Sequence, residues 1–74
     1  MADDFTDEGW VVFVRGEASG PAVYLAGFGT DRESEMAVRR RYRTETIKIE
    51  QLVHLSKTNI VGFGLRVGEV RPWQ

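Results

Sequence analysis

The chain is expected to fold as an α+β domain: a small antiparallel sheet packed on one central helix, ββαβ with a short C-terminal helix. Three observations predict this. Two runs rich in aromatic and β-branched residues, 10–15 and 22–28, are separated by a few turn-forming residues. A segment with helical spacing and its own start signal follows at 31–42. An alternating stretch over 46–55 comes next.

Residues 1–8 carry Asp3, Asp4, Asp7 and Glu8 with little apolar material, so they read as a flexible acidic tail ahead of a domain over 9–74. Residues 10–15, W-V-V-F-V-R, form the first expected strand. Both of its alternating sets, Trp10/Val12/Val14 and Val11/Phe13, are apolar. One set faces the helix, and the other needs cover from the C-terminal segment or from a second copy of the chain. Gly16 to Pro21 is a turn by composition, and its shortness favours an antiparallel hairpin into the strand over 22–28.

The central helix starts at Thr30. Its hydroxyl is placed to accept from an unpaired N–H of the first turn, and Glu33 is placed to reach back to the Thr30 N–H. Asp31, Glu33 and Glu35 lie near the positive end of the helix dipole, and Arg39, Arg40 and Arg41 near the negative end. At about 100° per residue, Ser34, Ala37, Val38, Arg41 and Tyr42 share the core side. Arg32, Glu33, Arg39 and Arg40 lie opposite, with Met36 between Arg32 and Arg40.

In the strand over 46–55, Ile47, Ile49, Val53 and Leu55 alternate on one face, but Gln51 and Leu52 fall on the wrong faces. A bulge near Gln51 and Leu52 would re-aim the register. Residues 56–74 have two readings. In one, Ser56 caps a short helix from Lys57 to Phe63 and Gly64 ends it in a left-handed conformation. In the other, Val61, Phe63, Leu65 and Val67 alternate as a fourth strand, giving ββαββ. The agreement of start and stop signals favours the helix. The residues after it run as an extended tail with a turn at Gly68, and Trp73 packs back onto the domain.

The run L-S-K-T-N-I-V-G-F-G-L-R-V-G-E-V, Leu55 to Val70, resembles the endings of small uncharacterised bacterial α+β proteins. Those carry a serine-capped short helix, then Gly-Leu, then Gly-Glu-Val. The resemblance covers these sixteen residues only. It implies the helical reading of the segment and a bacterial source, and it implies no activity.

Composition excludes several functions. Seventy-four residues make one domain, 42% apolar and 28% charged, which is a globular balance. Without cysteine there is no disulfide, thiolate nucleophile or cysteine metal site. The acidic start is no secretory signal, and no apolar run is long enough for a membrane span, so a cytoplasmic location is expected. The net charge of −1 hides an asymmetry: residues 1–35 hold eight acids and two bases, residues 36–74 three acids and eight bases. A near-neutral total argues against a general nucleic-acid coat protein.

Gly27-Phe28-Gly29-Thr30, between a strand and a helix, has the look of a phosphate cradle. The carboxylates of Asp31, Glu33 and Glu35 occupy that helix start, and the lysine of a P-loop is missing, so the glycines read as turn and packing residues. The only histidine, His54, reads as a half-exposed strand residue. No acid is predicted beside an apolar wall, where a carboxylate would acquire acid–base reactivity. No enzyme activity, catalytic residue, cofactor or metal is expected.

What remains is a binding module. The candidate partner-binding residues are Arg32, Met36, Arg39, Arg40 and Arg43, arginine being enriched in protein interfaces. The apolar sheet face is the other candidate surface. A protein partner is the leading expectation. A nucleic acid held by the Arg39–Arg43 cluster is the alternative. A third is a phage-type small inhibitor of a host defence protein, an analogy from size and charge. A homodimer is also on the table, because of the uncovered sheet face.

Overall fold

The computed structural model describes residues 5–73. The order is β1 (Trp10–Gly16), β2 (Gly20–Ala26), α1 (Asp31–Arg39), β3 (Ile47–His54), α2 (Lys57–Phe63) and β4 (Val70–Pro72). The strands form one antiparallel sheet in the order β3-β1-β2-β4. The expected α+β arrangement is therefore present, and the strand alternative for 57–67 is not. Short β4 is an addition: the extended tail turns at Gly68, where φ is +76°, and pairs with β2.

β1 and β2 make the expected hairpin, with β2 set two residues earlier than the sequence pattern places it. Pro21 is inside the strand, opposite Arg15. Val23 C=O accepts from Trp73 N–H, so odd-numbered residues of β2 turn their main chain away from β1. Proline at 21 therefore removes no bond to β1, and β4 pairs only with Tyr24 to Ala26.

The bulge in β3 is real. Phe13 pairs with Gln51 but Val14 with Ile49, so Glu50 is the extra residue. It rotates everything after it. Ile47, Ile49 and Leu52 now join one core, whereas Val53, expected beside Ile47 and Ile49, turns to the other face across from Val11.

The sheet is covered on both sides. On one, Val12, Val14, Ala26 and Ile47 meet Val38 of α1, with Trp10, Tyr24, Phe28, Tyr42 and Leu52 around them. On the other, Val11 and Leu25 meet Leu55, Ile60 and Leu65, flanked by Phe5, Phe13, Val23 and Phe63. The C-terminal segment is thus what covers the second apolar set. It does so because Ser56 accepts from Asn59 N–H (3.2 Å) at one end of α2, and Gly64 takes φ +67° at the other. Two turns of helix then drop Ile60 and Leu65 onto the sheet.

α1 is shorter than expected. It ends at Arg39, and Arg41 N–H and Tyr42 N–H bond three residues back, to Val38 and Arg39. The cause is tertiary. The Tyr42 hydroxyl meets that of Tyr24 (2.8 Å), and the Arg41 guanidinium lies 5.2 Å from the Tyr24 ring centroid. At the other end the Thr30 hydroxyl accepts from Glu33 N–H (3.1 Å), while the Glu33 carboxylate accepts from the Thr30 hydroxyl (3.0 Å) in place of the expected Thr30 N–H. Ser34, fully buried, bonds back to the Thr30 carbonyl.

The acidic start lies against the domain from Phe5 onward. Phe5 bridges to Arg66, Thr6 N–H donates to Leu65 C=O (2.9 Å), and Thr6 is buried. The rest of the expected tail, residues 1–4, lies outside the described residues.

Candidate functional site

The five candidate residues on and after α1 do not form one charged surface. Arg39 is held by Glu35 (3.1 Å) and reaches the Ile47 carbonyl at 3.4 Å. Arg32 and Met36 sit with Asp31 and Glu35 along a shallow depression of about 390 Å³. Arg43 lies in the loop after the helix, beside Glu17, Glu45 and Thr46. Arg40 is exposed. Arg41, counted in the same cluster, stacks on Tyr24. A helix distributes consecutive side chains around its axis, and here Arg32, Arg39, Arg41 and Arg43 each also have an acid, a carbonyl or a ring nearby. The sequence halves are likewise joined rather than segregated, through the Arg15–Glu50 ion pair and the His54–Glu8 hydrogen bond.

The glycine turn before α1 is structural. Gly27 N–H donates to Glu69 C=O, and Gly27 C=O accepts from Gly68 N–H, both at 2.8 Å. Those groups are committed to the turn before β4, and the Glu33 carboxylate at the helix start repels an anion there.

A concavity with a largely apolar lining lies on the opposite side of the sheet. Val11 and Phe13 of β1, Val53 of β3, Asn59 and Phe63 of α2, Leu55 and Trp73 line a cleft of about 370 Å³, with His54 at its margin. Trp73 stands edge-on to Phe63 with centroids 5.5 Å apart, and its N–H is anchored to Val23 C=O (2.9 Å). Arg71 donates to the Phe63 carbonyl (2.6 Å), tying β4 to the end of α2. Trp73 stays 43% exposed and Val53 39%. The cleft is thus built from three elements that converge only in the folded chain. The sequence signals were the doubly apolar β1 and the isolated Trp73; the signal for Val53 was hidden by the bulge.

The His54 ring packs at a tilt of 46° against Trp10, centroids 4.7 Å apart, and bonds Glu8. It is exposed, more so than the half-exposed position the sequence implied. Among the described residues no three of His, Asp and Glu converge as a metal site, and no helix is long and apolar enough to cross a membrane.

Among the described residues, two groups have shifted acidity. The Ser19 hydroxyl and the N–H groups of Ala18 and Ser19 gather on the Glu45 carboxylate and hold it below its ordinary range. Burial, then the bond to Tyr24, pushes Tyr42 up from 10.0 to about 12. An acid whose folded value is raised stabilises the fold below its unfolded value and loses that contribution as pH rises through the folded one. Thermal melts are therefore expected to fall between pH 10 and about 12. Tyr42→Phe, which has no proton to lose, is expected to flatten that fall; an unchanged profile would mean another group sets it.

No protein-family model, curated protein or solved structure matches this chain.

Proposed function

We propose that this domain is a non-enzymatic protein-binding module, and that it takes a large apolar side chain of its partner into the cleft beside Trp73. The observation that carries this reading is the cleft itself: two half-buried phenylalanines, an exposed valine and an exposed tryptophan around about 370 Å³. Aromatic anchors of this kind dominate protein-binding energies, and the volume matches the small end of ligand pockets. The arginines at the end of α1 and just after it are a weaker candidate, because Arg39 and Arg41 are engaged within the domain.

Selection from a displayed peptide library tests it. Peptides enriched on the domain are expected to share an aromatic or large aliphatic anchor. They are expected to lose binding to Val53→Asp and Trp73→Ala, keep it on Arg39→Ala/Arg40→Ala, and change little from low to moderate salt. Enrichment of acidic peptides that depends on Arg39 and Arg40 would move the site to α1. Tight, salt-sensitive retention of DNA or RNA by those arginines would replace the protein reading with the nucleic-acid one.

A further inference from the structure

We infer that the outer edge of β3 over Gln51–His54 pairs with the same edge of a second copy of this chain, in a twofold antiparallel register centred on Val53. β3 is an edge strand, bonded to β1 alone. The direction of its main chain follows from one bond: Leu55 N–H donates to Gly9 C=O (2.8 Å), so Leu55 faces β1. Main-chain groups alternate sides along a strand, so Val53 and Gln51 also face β1, and Leu52 and His54 face outward. No described residue bonds those outward groups.

The two halves of this edge differ. Edge strands invite pairing and are blunted by bulges, charge or a covering group. The half before Gln51 has all three: the bulge at Glu50, Lys48, and Arg39 reaching over to the Ile47 carbonyl. The half after it has no bulge and no side chain reaching over its outward main chain, and the Glu8 carboxylate meets it only at the His54 imidazole. It is regular, it carries no acid and no lysine or arginine, and its Val53 side chain is left 39% exposed.

The second copy is the occupant that fits this half by its own symmetry. With Val53 on the axis, Leu52 of one protomer lies opposite His54 of its partner. The N–H and C=O of both residues then find partners in both protomers. Gln51 falls opposite Leu55, and no like charges face each other. Val53 meets its mate in the pair type where side chains stand closest, with Cα atoms about 4.5 Å apart. Neighbouring registers fit less well. Centring on Leu52 brings the bulged Glu50 opposite His54 and interrupts the ladder. Centring on His54 sets two imidazoles face to face and runs past the end of the strand. The contact is small, so the dimer is expected to be weak and concentration-dependent.

The chain has no cysteine, so one introduced thiol reports the register. Under mild oxidation Val53→Cys is expected to cross-link rapidly, because its Cα separation suits a disulfide. Gln51→Cys is expected not to, because its two copies lie four residues apart along the strand, roughly 13 Å. Sedimentation of the unmodified chain is expected to show a monomer–dimer equilibrium. His54→Pro deletes an outward N–H, leaves the bonds to β1 intact, and is expected to weaken that equilibrium about tenfold or more. A circular dichroism melt separates this from unfolding, and the cross-linking comparison stands without that variant. A monomer at every concentration, equal cross-linking at 51 and 53, or a dimer lost on Met36→Ala instead would overturn the inference. So would a chain that stays monomeric while adding an extended peptide at this edge. Loss of the dimer with peptide selection intact leaves the proposed function standing, and the reverse leaves the dimer standing.

Discussion

Gly27→Ala is expected to destabilise the domain by about 2–6 kcal/mol. A Cβ at this position would fall on the Arg66 carbonyl oxygen, a main-chain atom that no rotamer change can remove. Backing the strand end away would stretch the bonds Gly27 makes to Glu69 and Gly68. Overpacking costs about 1–3 kcal/mol and each weakened bond about 0.5–1.5. A chain of this length has a total of about 4–11 kcal/mol to lose. The damage is expected to extend to β4, whose start is positioned by these bonds, and so to Trp73 and the cleft. Urea unfolding measures the loss. Gly29→Ala, where the nearest side-chain atom is 3.6 Å away, is the control and is expected to stay within about 0.5 kcal/mol. Equal midpoints for the two variants would mean that the strand end has room to move.

Leu65→Ala is expected to cost about 2–5 kcal/mol, a thermal midpoint lower by about 10–30 °C. Leu65 is 0% exposed and Ile60 1%, and together with Leu55 they are most of what covers Val11 and Leu25. The loss is amplified by connectivity, because Thr6 N–H bonds the Leu65 carbonyl and Leu65 N–H the Ile60 carbonyl. Removing the side chain loosens α2 and the N-terminal segment together. Val61→Ala, on the same helix but 58% exposed, is expected to change little. Calorimetry on the pair decides it: similar midpoints would mean that the α2 side of the sheet contributes little to stability.

Much of this fold was legible because its signals are local. Thr30 with Glu33, Ser56 with Asn59, and Gly64 at the stop each act within a few residues. Those motifs are complete in the sequence, and the elements they begin and end are where they place them. The end of α1 was not legible, because Tyr42 and Arg41 are drawn off by Tyr24, eighteen and seventeen residues earlier. Glu45 in the turn at Ala18 and Ser19 left no local trace for the same reason.

The candidate site divides along the same line. A run of arginines announces itself in sequence, yet its charge was distributed by the helix and engaged by Glu35 and Tyr24. The cleft announces itself hardly at all. Its valine is displaced from the expected face by one extra residue, and its tryptophan follows a three-residue strand with a weak pattern.

The sequence alone determined the kinds of element, their order, their caps and the need to cover both faces of β1. Those depend on chain neighbours and on side-chain chemistry. Only the tertiary structure decided which segment covers which face, where Val53 points and which arginines stay free. Those depend on register and on partners tens of residues apart, where a shift of one residue exchanges the two faces of a strand.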